Sequence, residues 1–293
     1  MAPRDIAILM LCCVGWAGNF LMIAWAAGAN GVPPLMMAAV RAAMVVAIMS
    51  PFLLRARPPN FGRMMMVCVF VGPLHLAFLY TGLQTASGAG GAIVSQMLIP
   101  MATVLSVVFL KERIGWRRSL AIAGAFAGTM VMLWEPGALS LDIGLSLVLL
   151  AYMSLAVGSV MMRTLGEMDW RLYVAWMAML VVVVMGAATF AFEADHAEVV
   201  RTKAVPLFAS SVYAALIVSV FAHGQYFRLL TRYPVNAVIP LTLLVPVLAV
   251  GLSLVLLGEV PGVRALVGAA VILPCVYVIA KRGGPPMETR SHD

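Results

Sequence analysis

Ten apolar runs, each about twenty residues long, fill most of the 293-residue sequence, and no other feature limits its fold so strongly. They occupy residues 6–27, 34–54, 64–86, 89–110, 119–134, 143–162, 172–192, 206–230, 236–257 and 263–280. An α-helix rises about 1.5 Å per residue, so some 20 residues cross a hydrocarbon layer of about 30 Å. In that layer a helix satisfies its backbone N–H and C=O groups within one segment, and the runs are too long and too continuous for strands. They predict an all-α integral membrane protein of ten transmembrane helices joined by short loops. Composition points the same way: 63% of residues are hydrophobic and 11% charged, against about 25% charged in a soluble domain. Mean hydropathy is +1.03. The first run follows Arg4 and superficially resembles a secretory signal, but its length exceeds a signal core, and it reads as a retained span.

The basic residues set an orientation. Placing alternate gaps on one side gathers Arg4, Arg55, Arg57, Arg63, Lys111, Arg113, Arg117, Arg118, Arg163, Arg171, Arg228, Arg232, Lys281, Arg282 and Arg290. Only Arg201, Lys203 and Arg264 lie opposite. The positive-inside rule makes the crowded side cytoplasmic, so both termini face the cytoplasm of a multi-pass protein in the bacterial inner (plasma) membrane. Because the charge is scattered through short gaps, the net +7 speaks for topology and against a nucleic-acid partner. Cys12, Cys13, Cys68 and Cys275 all fall inside apolar runs, which leaves them as lipid-facing or packing residues without a disulfide framework or thiolate metal site. A Gly-Lys-Ser/Thr phosphate loop and a His-Glu-x-x-His helix are both absent, so neither an ATP-driven pump nor a metal enzyme is indicated, and no cofactor is expected.

The chain also repeats itself. Glu112-Arg113-Ile114-Gly115-Trp116-Arg117 is matched 147 residues later by Glu259-Val260-Pro261-Gly262-Val263-Arg264, as Glu-x-x-Gly-x-Arg. Near the same offset, Pro100 pairs with Pro246, His75 with His223 and Tyr80 with Phe227. These matches divide the chain into a first five-helix repeat, residues 1–138, and a second, residues 139–293. An odd number of helices per repeat inverts the second copy in the membrane. In inverted-repeat transporters the substrate site lies near the midplane between the repeats.

Trp16-Ala17-Gly18-Asn19-Phe20, Arg41, the stretch Tyr80-Thr81-Gly82 into Pro100, and Lys111-Glu112-Arg113 together resemble the drug/metabolite transporter superfamily, EamA group. The resemblance covers nearly the whole chain, and within the group the sequence is similar to YddG-type exporters of aromatic and other bulky amino acids. It implies a secondary transporter that exports small metabolites, amino acids foremost, by alternating access. Other expectations stay open: a proton-coupled drug or nucleotide-sugar carrier, or, from another class, an intramembrane lipid-modifying enzyme.

Candidate substrate-binding residues follow from polarity inside the runs. Arg41 is the only Lys or Arg well inside one, and such a charge needs water, a partner or a cavity; snorkelling to the outer surface is the alternative. Trp16 with Asn19, Tyr80 with Gln84 and Ser87, and Gln96 with Pro100 and Thr103 recur at helical spacing, as a polar cavity wall or as helix–helix glue. Tyr152 and Trp176 are candidates of the same kind in the second repeat. His75 and His223 titrate nearest neutrality among residues inside the runs and are candidates for a substrate bond or proton transfer, or for plain packing. Every Asp and Glu falls in a loop or at a helix end, which favours facilitated diffusion over proton antiport. Glu112 and Glu259, beside Arg113, Arg117 and Arg264, are either gating ion pairs or ordinary helix-terminal charges. Gly124-x-x-x-Gly128 is a close-packing signature whose simplest use is within the chain, so a monomer embedded in lipid with a small-molecule substrate is the expected assembly.

Overall fold

Wherever the structure describes an apolar run, that run is helical, and among the described residues there is no strand. The computed structural model describes residues 1–55, 58, 60–83, 94–134, 143–166, 168–258 and 260–281. The helices are α1 (Pro3–Ile23), α2 (Pro34–Leu53), α3 (Phe61–Val69), α4 (His75–Leu83), α5 (Leu98–Leu110), α6 (Trp116–Leu133) and α7 (Ile143–Arg163). Then come α8 (Trp170–Phe192), α9 (His196–Thr202), α10 (Ala204–Tyr213), α11 (Gly224–Arg232), α12 (Val235–Val238), α13 (Leu244–Leu257) and α14 (Val263–Lys281). Some join without a loop. A π-helical stretch, Phe70–Leu74, carries α3 into α4, and another, Ala214–His223, carries α10 into α11. A 3-10 stretch at Ile239–Leu243 joins α12 to α13.

Eight continuous helices among the described residues are long and apolar enough to cross a membrane. The other two expected runs fall short for local reasons. Helix α5 begins only after a turn at Gln96 and Met97 and is 13 residues long, and residues 84–93 lie outside the described set. Helix α6 opens on Trp116-Arg117-Arg118-Ser119, which dilutes its apolar character. Large apolar side chains such as Phe20, Phe109, Phe190 and Val255 point outward, as a lipid-facing surface requires.

Pairing follows a regular pattern. Helix α2 lies along α8, and α6 along α14. Helices α4 and α5 both pack on α7, while α1 packs on the Ala214–His223 stretch and on α13, which is the same pairing with the two halves of the chain exchanged. One core cluster takes Leu9, Met64 and Ile99 from the first half and Tyr173, Leu230 and Ile279 from the second. Cys12, Cys13 and Cys68 are fully buried, so they pack rather than face lipid. The Gly124-x-x-x-Gly128 motif is used inside the chain, where Gly124 faces the Cys275 sulfur and Gly128 meets α14 at Gly268.

Helix ends are held across the two halves. The first N–H groups of a helix have no partner within it, and in lipid they find no water. Glu193, at the end of α8, accepts from the amides of Leu35 and Met36 at the start of α2, both at 2.8 Å, and from the Thr189 hydroxyl at 2.7 Å. Glu112, just beyond α5, accepts from the Val235 amide at 2.8 Å, the Asn236 amide at 3.2 Å and the Asn236 side chain at 2.7 Å, all at the start of α12. Among the described residues Glu112 forms no ion pair, and of its two candidate roles, ion pair or helix-terminal charge, it takes the second as a helix cap reaching into the other half. Glu259 lies outside the described residues. Near the same end, Asp5 accepts from the Tyr233 hydroxyl at 2.7 Å and pairs with Arg228 at 3.4 Å. Burial raises the Tyr233 pKa, and the bond to Asp5 raises it further.

The close approach of α6 and α14 gives a stability test. A Cβ on Gly268 would stand 2.6 Å from the Gly128 carbonyl oxygen and 2.7 Å from the Met132 Cβ. Gly268→Val is therefore expected to push α14 off α6 and cost about 1–3 kcal/mol, read as a lower unfolding temperature of the purified protein in detergent. Gly262→Val, where nothing stands within 4 Å of the added Cβ, is the control.

Candidate functional site

Two of the three π-helical stretches among the described residues, Phe70–Leu74 and Ala214–His223, deliver a histidine, while the third, Ala24–Ala29, extends α1. A π turn carries one residue more than an α turn, so its carbonyls fall out of register and turn toward side chains instead of the next amide. In Phe70–Leu74, Pro73 removes one backbone donor outright. The freed Phe70 carbonyl is taken by the Ser154 hydroxyl of α7 at 2.7 Å. The next residue is His75, 8% exposed, whose Nδ1 lies 2.9 Å from the Ala151 carbonyl. A carbonyl only accepts, so Nδ1 carries the proton, and the neutral ring offers Nε2 as an acceptor. Tyr152 closes edge-on over His75 with ring centroids 5.3 Å apart, and its hydroxyl bonds Ser95.

The second stretch, Ala214–His223, ends on the other histidine. Ser219 donates to the Ala214 carbonyl at 2.9 Å and accepts from Nε of Arg41 at 2.8 Å. The one charge inside α2 is thus directed at the second half of the chain, one helical turn from His223. The His223 ring stacks on Phe227 at 5.7 Å and lies 5.7 Å from Trp16. Trp16 in turn meets Tyr226 edge-on at 5.2 Å. Helix α1 is held here by Tyr213, whose hydroxyl donates to the Gly15 carbonyl at 3.1 Å and fits only because Gly18 has no Cβ: one added there would stand 2.3 Å from the Tyr213 oxygen.

The candidates from the sequence fall into groups. Trp16, Arg41 and His223 converge around the second stretch, and His75 and Tyr152 form a pair at the first. Gln96 sits in the turn before α5, where its side-chain amide donates to the Ser95 hydroxyl at 3.2 Å. Trp176 makes its ring contact with Phe61, at 5.1 Å. Gln84 and the Tyr80 side chain lie outside the described residues. Four candidates share a property that packing alone does not explain: Trp16 Nε1, Asn19 Oδ1, Trp176 Nε1 and His223 Nδ1 are buried without a hydrogen-bond partner among the described residues. Each such atom costs about 1–3 kcal/mol unless water or a ligand supplies the bond.

Sequence reasoning missed Ser219 and Tyr226, which flank His223 at four residues before and three after, one face of a regular helix. Reading outward from His223 at that spacing would have found both. The Ser154 and Ser159 hydroxyls, bonded to Phe70 and Tyr226, left no such trace, because serines are common in membrane helices as glue.

Comparison with known proteins places this arrangement. The model of the EamA-like transporter family matches twice, over residues 4–134 and 142–281. Over 293 aligned residues the chain is 27% identical to a probable amino-acid metabolite efflux pump of Salmonella typhimurium, with 95% of each chain covered. To a protein of the same description from Escherichia coli it is 25% identical over 288 residues, again with 95% of each covered. A solved crystal structure, 17% identical, superposes with a TM-score of 0.80 over 96% of this chain and 99% of that one, a likeness of fold.

Orphaned polar atoms make a stability prediction of unusual sign. His223→Phe keeps a flat ring against Phe227 and removes a buried nitrogen without a partner. The variant is expected to unfold at the same or a higher temperature, by the equivalent of about 1 kcal/mol, while losing whatever ligand the nitrogen serves. A marked drop in stability would show that the nitrogen is already satisfied.

Proposed function

Because the chain belongs to the EamA-like transporter family, we propose that it exports amino acids, aromatic and bulky neutral ones foremost, across the bacterial inner membrane by alternating access. In this reading the chain crosses the membrane ten times as two inverted five-helix repeats, with both termini cytoplasmic. The coarser statement, a multi-pass membrane protein and small-metabolite exporter of the EamA type, follows from the family and from relatives described as probable amino-acid metabolite efflux pumps.

The single observation that carries the finer reading is the group of buried polar atoms on Trp16, Asn19 and His223 that have no partner among the described residues, beside Arg41, the one charged residue within α2. An amino acid brings a carboxylate for the Arg41 charge, an ammonium for carbonyl and hydroxyl oxygens, and a side chain for the faces of Trp16, Tyr152 and Tyr226. The donor on Trp16 and the ring nitrogen of His223 then gain partners only when substrate or water is present. Arg41 belongs to the first half and Ser219 to the second, so a substrate between them senses the relative position of both repeats.

Among the described residues each carboxylate lies at a helix end or in a loop: Asp5, Glu112, Asp169, Glu193, Asp195 and Glu198. That supports transport down the substrate gradient, because no embedded carboxylate is offered for proton exchange.

The test is counterflow in proteoliposomes containing only the purified protein. Preloaded phenylalanine or leucine should drive uptake of labelled tracer, whereas sugars and cationic dyes should not. Arg41→Ala is expected to lower exchange by about ten- to a hundredfold, the size of a lost charged hydrogen bond of about 1.5–3 kcal/mol, with insertion unchanged. Normal exchange by that variant removes Arg41 from the site. An imposed pH gradient should not concentrate substrate, and accumulation would refute facilitated diffusion.

A further inference from the structure

A second cluster of unsatisfied polar groups lies away from the aromatic residues, at the end of the bundle where α5 turns into α6. Lys111 closes α5 in the left-handed conformation, with φ 54°, and residues 111–115 then cross to Trp116 without regular structure. The turn borders a cleft of about 650 Å³ lined by Lys111, Arg113, Arg117 and Arg118 on one side and by Asn236 on the other. Its one acid, Glu112, has both oxygens occupied by Val235 and Asn236 and forms no ion pair with these cations among the described residues. Arg118 is 8% exposed, and its Nε and Nη2 are buried without an acceptor among the described residues. A buried guanidinium with unanswered donors is costly, and its natural complement is an oxyanion. Helix α6 adds to this. It opens on Gly115 with no side-chain cap, so its first amides and its positive dipole end face the same cleft.

We propose that this cleft binds the phosphate of an anionic phospholipid from the adjoining leaflet, the cytoplasmic one in the orientation proposed above. Phosphate is the shared chemistry of a lipid headgroup and a free ion, and the surroundings select the lipid. Trp116 is 68% exposed at the mouth, with the Arg117 guanidinium 5.2 Å from its ring, an arrangement suited to the headgroup layer. Beyond it Phe109 and Leu120 continue as exposed apolar surface where acyl chains would lie. Basic pockets on this face of membrane proteins are a recognised setting for anionic headgroups. Since Asn236 begins α12 and Arg118 begins α6, a bound headgroup spans the two halves beside the Glu112 cap.

The experiment is lipid retention by the full-length protein in neutral detergent, read by native mass spectrometry after incubation with phosphatidylglycerol or with phosphatidylcholine. One phosphatidylglycerol is expected to be retained in clear preference to phosphatidylcholine, and retention should fall at least about fivefold at high salt, as screening of a phosphate contact requires. Two variants test the residues: Arg118→Gln, and the combined Lys111→Gln, Arg113→Gln and Arg117→Gln, which alters only exposed side chains and leaves the fold intact if Arg118→Gln does not. Both are expected to lose the preference. Equal retention of the two lipids, or an undiminished preference in the combined variant, overturns the proposal. If inorganic phosphate alone raises the unfolding temperature as far as phosphatidylglycerol does and no lipid is retained, the lipid assignment is overturned in favour of a soluble anion.

Discussion

Capture of open helix ends by carboxylates from the opposite half of the chain is the interaction on which the rest of the structure depends. In hydrocarbon an uncapped helix start leaves several amides without partners, each a loss of a few kcal/mol. Glu193 answers that need for α2 and Glu112 for α12, and each does so from the other half. The two halves are therefore tied at their helix ends by charged hydrogen bonds, while the helix bodies meet through small residues such as Gly128 and Gly268. Strong ends and smooth bodies are what two units need if they are to keep one register yet slide.

Much of this was legible in the sequence, for a simple reason. A run of twenty apolar residues has one way to satisfy its backbone in lipid, so helix type and position follow from hydropathy alone. Repeated Glu-x-x-Gly-x-Arg motifs pointed to a duplicated plan before any coordinates. What periodicity does not encode is rotation about the helix axis. It could nominate Arg41 as unusual but not say that its partner is Ser219. It left Glu112 between two roles, because an ion pair and a helix cap call for the same residue at the same place. The cysteines posed a similar ambiguity, since a sulfur in an apolar run suits lipid or core equally, and Cys12, Cys13 and Cys68 turned out to be core.

The candidate site is where local rules are broken together. Helical hydrogen bonding is loosened at Phe70–Leu74 and at Ala214–His223, and a histidine stands at the end of each. Buried donors and acceptors on Trp16, Asn19 and His223 go unanswered among the described residues. Rigid packing such as Tyr173 against Phe227, at 4.5 Å, supports these loose places from behind. A region that is destabilised locally and buttressed globally can exchange protein contacts for ligand contacts without losing the fold.

The π turns carry a further meaning about helix rotation. One additional residue turns everything beyond it by about 100° around the axis of an α-helix, so gaining or losing such a residue inside a finished bundle would reorient a whole packed face. Phe70–Leu74 lies directly before His75, and Ala214–His223 ends on His223. The two wide turns therefore set which side chains α4 and α11 present to their neighbours, and each histidine stands where that rotation takes effect.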